Sequence, residues 1–273
     1  MRPTVGGGDI WGWYAWPIAD RSKHRNSMIQ PPLQRLEELG LNACAAPGQL
    51  LYDGWVLRFT PGQVKRARSV NAVYPSTLPL REKIACCEDL YRSRGLPAVF
   101  RVTAFSEPPE LDAALDALGY ARVEATAVET ATIDPTRLLR SDARALALPE
   151  WVEAIGNLRG SPAQERAQHL RRLEVLPLPL CALALHQNHC CVATGLAVVE
   201  GGWAGLFDIA VDGALRRQGL GLRMVNGLLH AAWELGARQA YLQVGSDNGA
   251  ARSLYARFGF AQRYPYWYRC RPA

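Results

Sequence analysis

No apolar stretch of the sequence is long enough to cross a lipid bilayer. The longest runs, residues 180–185 and 190–199, are shorter or more interrupted than the roughly 20 apolar residues that a membrane helix needs. A secretory signal is also missing, because the short Trp-rich start is followed rather than preceded by its basic residues. The net charge of +6 is only weak evidence for a nucleic-acid partner. We therefore predict a cytoplasmic protein that binds neither membrane nor nucleic acid.

Cysteines are present, but they lack the spacing of a structural metal site. The seven cysteines are an odd number, and none is separated from another by two residues. Residues 186–191 combine two histidines and two cysteines, yet they lie between two apolar, strand-like runs, where Gln187-Asn188 is typical of a hairpin tip. Four ligands are usual in a structural zinc site, and no second cluster exists. We predict reduced thiols and no bound metal.

The first 27 residues have no helical or strand periodicity. A glycine run, three crowded tryptophans and a basic cluster occur there instead. We predict that residues 1–27 are a disordered or non-native leader. Met28 is then the candidate natural start, since regular patterns begin just after it.

From residue 33 onward, helix-like and strand-like segments alternate, which predicts an α/β fold. The first half has predicted helices at 33–39, 80–94 and 111–118, and predicted strands at 55–59, 69–74, 98–102 and 121–133. The second half has predicted helices at 151–155, 163–173, 220–235 and 250–258, a hairpin at 180–199, and strands at 207–211, 240–244 and 264–269.

The two halves repeat one pattern. The junction at Gly95 before residues 99–102 matches Gly236 before residues 241–244, and the helix closed by Gly119 matches the helix closed by Gly259. This internal similarity predicts two copies of one α/β unit. Asp134-Pro135 marks the boundary, because a residue before proline is disfavoured in a helix. The predicted domains are residues 28–135 and 136–273.

Residues 216–221 read Arg-Arg-Gln-Gly-Leu-Gly and lie between a predicted strand and a predicted helix. A helix N-terminus offers unpaired N–H groups and a positive dipole end, which favour phosphate. Glycines at 219 and 221 leave these groups accessible, although Gly-x-Gly alone is also common in ordinary turns. The equivalent segment of the first half, residues 75–80, has neither glycine nor a basic residue. Only the second half is therefore predicted to bind a pyrophosphate.

The spacing Arg-x-x-Gly-x-Gly at 216–221 resembles the acetyl-CoA signature of the GNAT superfamily, the GCN5-related N-acetyltransferases. The run from Asn248 through Tyr255 to Phe260 resembles that superfamily's pattern Asn-x-x-Ala-x-x-Leu-Tyr-x-x-x-Gly-Phe. The resemblance covers residues 140–270 well. It implies a tandem protein of two GNAT-like units, each a mixed, mostly antiparallel sheet flanked by helices, with a degenerate first unit.

The resemblance also implies a set of residues that hold acetyl-CoA as a co-substrate. The pantetheine arm would pair with the backbone of a strand, and the pyrophosphate would lie on the loop and first helical turn. Asn248 would bind the coenzyme or cap the next helix, a position at which asparagine is favoured in any case. The full implied set is Ile209, Ala210, Val211, Arg216, Arg217, Gln218, Gly219, Leu220, Gly221, Leu222 and Asn248.

The catalytic residues are less completely implied. Tyr255 matches the family's proton donor to the departing sulfur, and its alternative is a tyrosine packed near Phe258 and Phe260. Where related ribosomal-protein acetyltransferases have a glutamate, this sequence has Gln243, which can bind an amine but cannot accept a proton near neutral pH. Asp208 and Glu200 are substitute candidates for the base, alongside a chain of waters. Glu200 also fits an ordinary strand end.

The sequence thus predicts an acetyl-CoA-dependent N-acetyltransferase. Its acceptor partner is expected to be the primary amine of a small molecule or peptide, with the protein a monomer or homodimer. The missing glutamate at position 243 leaves an alternative, a non-catalytic acyl-CoA-binding regulatory module. Whether the first half walls the acceptor site or only covers the sheet is open.

Overall fold

The computed structural model describes residues 32–271, in which helices and strands alternate. The helices are α1 Leu33–Asn42, α2 Leu80–Arg92, α3 Leu111–Ala117, α4 Leu148–Arg159, α5 Ala163–Glu174, α6 Leu220–Glu234 and α7 Gly249–Ala256. The strands are β1 Gln49–Tyr52, β2 Trp55–Arg58, β3 Val70–Ala72, β4 Val99–Thr103, β5 Ala121–Thr132, β6 Arg144–Ala145, β7 Leu180–Gln187, β8 Cys190–Glu200, β9 Trp203–Val211, β10 Gln239–Gly245 and β11 Ala261–Cys270. The predicted α/β class is confirmed.

The predicted leader, residues 1–27, lies outside the described residues. Within residues 32–271, no helix combines the length and apolar character that a membrane crossing requires.

All eleven strands form one sheet, in the order β1-β2-β3-β4-β11-β5-β10-β9-β8-β7-β6. Among the strands of residues 32–271, only the pairs β3–β4 and β9–β10 are parallel, so the sheet is mixed and mostly antiparallel. Strand β11 of the second half lies between β4 and β5 of the first half and pairs with both. The predicted units 28–135 and 136–273 therefore share one sheet, and the boundary between them remains a prediction.

Helices cover both faces of the second half's sheet because its strands are apolar on both sides. On β7, the side chains of Leu183 and Leu185 pack with α6. The side chain of Ala182 points to the other face of the sheet and packs in the cluster around Trp151 of α4. Alternate residues of a strand point to opposite faces, so one strand can support both helices. This arrangement fixes α4 and α6 on opposite sides of β9, where the candidate site lies.

The hairpin β7–β8 turns one residue later than the sequence predicts. Asn188 and His189 form the tip, with φ of +48° and +66°, whereas Gln187 is still paired with Cys190 in the ladder. Two consecutive left-handed residues are typical of the tight hairpin turn that matches strand twist, and asparagine tolerates that conformation well. No group of three or more potential metal ligands occurs among residues 32–271.

Candidate functional site

Strands β9 and β10 separate half-way along their length. Their parallel pairing runs from Trp203 to Leu206 on β9 and ends opposite Leu242 on β10. Beyond that point β9 is paired with β8 and β10 is paired with β5, so residues 207–211 keep one backbone edge unpaired within the sheet. An unpaired strand edge offers N–H and C=O groups to a ligand with an amide backbone. The predicted Ile209, Ala210 and Val211 lie on this edge.

A bulge in β9 accounts for the separation. The register of the pairing with β8 shifts between Thr194 and Leu196 of β8. Opposite this shift, Asp208 of β9 has a φ of +52°. A bulge bends a strand and re-aims its side chains, and a positive φ is uncommon for a residue other than glycine. The bend opens a cavity of about 510 Å³, which is lined by Phe207, Asp208 and Ile209 of β9, by Gln243 of β10 and by Tyr255 of α7.

The predicted phosphate loop follows β9 and is open to solvent. Arg216, Arg217, Gln218 and Gly219 are all exposed, and α6 begins at Leu220. The first hydrogen bond of the helix runs from the Arg223 N–H to the Gly219 carbonyl. The N–H groups of Leu220, Gly221 and Leu222 therefore precede the helical ladder and remain available to an anion.

The two glycines of this loop have different roles. Gly219 has a φ of +80°, and a Cβ added there would meet no atom within 4 Å. At Gly221 an added Cβ would lie 2.8 Å from Cδ1 of Leu254 on α7. The missing side chain of Gly221 thus lets α7 pack against α6, and its part in keeping the loop accessible to phosphate remains a prediction.

This packing role gives a stability prediction. Gly221→Ala should lower the free energy of unfolding by about 1–2 kcal/mol, because a methyl group would overpack the contact with Leu254. Denaturant unfolding measures the change. Gly213→Ala is the control, since a Cβ at Gly213 meets no atom within 4 Å. Equal stability of the two variants would contradict this role for Gly221.

The second motif lies on α7 beside the cavity. The side-chain oxygen of Asn248 accepts a hydrogen bond of 3.1 Å from the Ala251 N–H, so Asn248 caps this helix. Tyr255 is half-buried, and its ring meets the Phe260 ring edge-on at 6.0 Å. Burial, aided by the negative charge of Glu129, raises the pKa of Tyr255. Its phenol therefore keeps its proton at neutral pH, as a proton donor must.

The carboxylate of Asp208, in the bulge of β9, forms an ion cluster with Arg159 and His169. One carboxylate oxygen is 2.9 Å from Nη1 of Arg159, and the other is 3.1 Å from Nε2 of His169. Burial by itself would raise the pKa of Asp208, but the hydrogen bond from His169 and the charge of Arg159 hold it well below its usual range. A carboxylate stabilised in this way is a weak base, and the role of Asp208 as the proton acceptor remains a prediction.

His169 was missed by sequence reasoning. It lies on α5, lines the cavity, and meets the buried ring of Trp151 edge-on at 5.7 Å. Trp151 is itself fixed by a hydrogen bond of 2.9 Å from its indole N–H to the Leu183 carbonyl. An Nε2–H that donates to Asp208 leaves Nδ1 as the basic nitrogen of the ring. The cavity thus holds a positioned imidazole.

The amide of Gln243 is engaged within the protein. Its Oε1 accepts hydrogen bonds from the Arg66 guanidinium and, at 3.0 Å, from the Tyr266 hydroxyl. Its Nε2 is buried without a hydrogen-bond partner among the described residues. The oxygen of Gln243 is therefore engaged by two protein donors and helps to position Arg66, while substrate binding by Gln243 remains a prediction.

Glu200, the other carboxylate considered as a base, forms a separate contact. It accepts a hydrogen bond of 2.6 Å from Arg35 and another from Asn42, both on α1. It does not line the cavity among the described residues. These contacts support the alternative in which Glu200 is an ordinary carboxylate at a strand end.

The first half forms one wall of the cavity. Cys44 follows α1, and Gln63, Val64 and Arg66 lie in the connection between β2 and β3. Arg66 extends over the Phe207 ring, with its guanidinium carbon 5.6 Å from the ring centroid. Of the two possibilities left open for the first half, the structure therefore favours a wall of the site.

Comparison with known proteins assigns a family to the segment that contains this site. The model of the GNAT acetyltransferase family matches residues 147–260, a segment that contains the separated strands, the loop and α7. Residues 147–260 are therefore a segment of the GNAT acetyltransferase type. The protein is accordingly an acyltransferase of the GNAT type.

Relatives of this GNAT protein include one that matches nearly end to end. The uncharacterised N-acetyltransferase YobR of Bacillus subtilis is 27% identical over 245 residues, covering 87% of this chain and 98% of the relative. The ribosomal protein bS18-alanine N-acetyltransferase of Escherichia coli is 37% identical over 76 residues, which is 28% of this chain and 51% of that enzyme.

Solved structures with the same fold also span both halves. A GCN5-related N-acetyltransferase from Kribbella flavida has a TM-score of 0.64 at 19% identity, covering 88% of this chain and 95% of its own. A tandem GNAT protein from the clavulanic acid biosynthesis pathway has a TM-score of 0.54 at 17% identity, covering 71% of this chain and 70% of its own. At these identities the likeness shows the fold alone.

Proposed function

We propose that the protein transfers an acetyl group from acetyl-CoA to the primary amine of a small molecule or peptide. The observation that carries the proposal is the unpaired edge of residues 207–211, which borders the cavity and leads directly to the open N-terminus of α6. Acetyl-CoA supplies the activated acetyl thioester.

The residues present fit this co-substrate. The space around Gly219 is open, and the N–H groups at the start of α6 face it without helical partners. Arg216 and Arg217 add positive charge for the phosphates, and the backbone of Ile209 and Val211 is suited to the amides of the pantetheine arm. The loop 216–222 would thus hold the pyrophosphate, with Asn248 fixing the neighbouring turn.

His169 is the residue placed to deprotonate the acceptor amine. Its Nδ1 accepts the proton, while Asp208 holds the ring through Nε2 and stabilises the imidazolium that forms. Tyr255 donates its phenolic proton to the departing sulfur. The arginines of the cavity wall also disfavour an ammonium ion, so that the amine is bound more readily in its neutral, nucleophilic form.

Release of coenzyme A thiol from acetyl-CoA, measured with a panel of primary amines, tests the function. We expect acceptor-dependent thiol release and an acetylated amine detectable by mass spectrometry. Tight acetyl-CoA binding without release for any amine would instead support a regulatory module. The absence of acetyl-CoA binding would contradict the assignment of the loop.

His169→Asn should lower kcat/KM for the acceptor by about 100-fold, because general base catalysis typically contributes 10²- to 10⁴-fold. Acetyl-CoA affinity should stay close to that of the wild type, because the substitution lies away from the loop at 216–221. His230→Asn is the matched control, since His230 is exposed on α6. An unchanged kcat/KM in His169→Asn, or a loss confined to Asp208→Asn, would exclude His169 as the base.

A further inference from the structure

Arginines dominate the charge on the cavity wall. Four arginines line the cavity, against two carboxylates: Arg66, Arg159, Arg166 and Arg172 on one side and Glu165 and Asp208 on the other. Asp208 pairs with Arg159, and Arg166 is 2.7 Å from Glu153 outside the cavity lining. Among residues 32–271, neither Arg66 nor Arg172 has a carboxylate within 4.0 Å. Within the described part of the chain, Arg66 and Arg172 therefore lack an ion-pair partner, and with Glu165 as the one unpaired lining carboxylate the cavity keeps an excess of positive charge.

Arg66 also has unused hydrogen-bonding capacity. One terminal nitrogen donates to Gln243, but its Nε is buried without a partner among the described residues. A buried donor without an acceptor destabilises a protein by about 1–3 kcal/mol, and a charged group costs more. A guanidinium is planar and matches an anionic group with two oxygens, such as a carboxylate or a phosphate. The missing partner of Arg66 is therefore chemically an anion.

The position of Arg66 relates this anion to the acceptor. Its contacts, Gln243 and Phe207, lie just beyond the point where β9 and β10 separate. The proposed coenzyme phosphates lie instead at the start of α6, whose loop residues Arg216 and Arg217 do not line this cavity among the described residues. A volume of about 510 Å³ is within the range of small-molecule sites.

We infer that the acceptor is an acidic amine, a molecule that carries a compact carboxylate or phosphate group beside the amine, and that Arg66 binds this anionic group while Arg172 adds positive charge to the same cavity. The inference rests on the proposed acetyltransferase function. It assigns the first half a specific part in that function, because Arg66 belongs to the connection between β2 and β3.

The test is thiol release from acetyl-CoA with the twenty common amino acids, their amides and 2-aminoethyl phosphate. For each acceptor, kcat/KM is calculated from the concentration of the unprotonated amine, so that differences in amine basicity cancel. We expect at least one amino acid, or 2-aminoethyl phosphate, to exceed its neutral counterpart by about tenfold or more, as a charge-assisted contact predicts. The better of the two classes identifies the anion as a carboxylate or a phosphate.

Three variants test whether Arg66 causes the preference for acidic acceptors. Arg66→Gln should reduce the ratio of acidic to neutral acceptor to near one, and Arg66→Lys should keep part of it by retaining charge without the planar donor pair. Arg166→Gln is the matched control, because Glu153 already offsets the charge of Arg166. A ratio of two kcat/KM values does not depend on the fraction of folded enzyme, so partial misfolding leaves the comparison valid.

The possible failures are distinguishable. Equal or faster reaction of neutral amines would overturn the inference and leave the acetyltransferase function intact. An Arg66→Gln variant with an unchanged ratio, but a raised KM for acetyl-CoA, would assign Arg66 to the coenzyme and also overturn it. Thiol release with none of the acidic or neutral amines would contradict the proposed function itself, and the inference with it.

Discussion

Gly219→Glu should abolish measurable acetyl-CoA binding, a loss of at least about 100-fold in affinity, or about 2.7 kcal/mol. Gly219 has a φ of +80° and faces open space in front of the first N–H groups of α6. A glutamate there would place a carboxylate where the proposed phosphates lie, and its negative charge would neutralise the positive end of the helix. Isothermal titration calorimetry with acetyl-CoA measures the effect.

The control for backbone strain lies at the other end of the same helix. Gly236 is exposed, has a φ of +92° and has no atom within 4 Å of an added Cβ, so Gly236→Glu carries a similar conformational cost far from the loop. We expect Gly236→Glu to bind acetyl-CoA normally. Gly219→Asn, which tolerates the left-handed conformation, should retain more affinity than Gly219→Glu. Unchanged affinity in Gly219→Glu would refute the placement of the pyrophosphate.

Tyr255→Phe should slow turnover by about 100-fold and leave acetyl-CoA affinity within about twofold, because general acid catalysis typically contributes 10²- to 10⁴-fold. The substitution removes one hydroxyl and keeps the ring that packs edge-on against Phe260. The fold and the cavity wall should therefore persist. The effect should appear in kcat and kcat/KM together, as expected for an interaction made only in the transition state.

Single-turnover thiol release separates this chemical effect from product release. Tyr74→Phe is the matched control, since the Tyr74 hydroxyl bonds Glu38 on α1 and Tyr74 does not line the cavity among the described residues. Equal single-turnover rates for Tyr255→Phe and the wild type would remove Tyr255 from the mechanism. The packing role against Phe260 would then be its main one.

Most elements of the fold were predictable from the sequence because their patterns are local. Helix α6 and strand β5 follow the predicted spans closely, since each has apolar spacing and a clear terminal signal. Strand β1 was not predicted, because Leu50 and Leu51 are exposed by 41% and 73% and show no alternation of apolar and polar residues. Its strand conformation comes from pairing with β2 across the turn at Gly54. Pairing with β2, rather than a local sequence pattern, therefore determines that β1 is a strand.

The candidate site was predictable only where it is continuous in sequence. The loop at 216–221 and the α7 segment carry local motifs, and the structure brings both to the separated strands. His169 on α5 and Arg66 before β3 have no local signal, because their significance comes from partners 39 and 177 residues away. The ion cluster of Asp208 was not predictable for the same reason, because Arg159 and His169, the two basic partners that stabilise its carboxylate, are distant in sequence.

The position of β11 between β4 and β5 has a consequence for synthesis of the chain. Strands β4 and β5 leave the ribosome early, but each keeps an edge without its final neighbour until residues 261–270 have been made. Exposed strand edges are prone to wrong pairing and aggregation. The nascent first half must therefore wait for nearly the whole second half, with one edge of β4 and both edges of β5 lacking their final neighbours. Chains halted before β11 should be chaperone-dependent and protease-sensitive, even when the loop at 216–221 has been made.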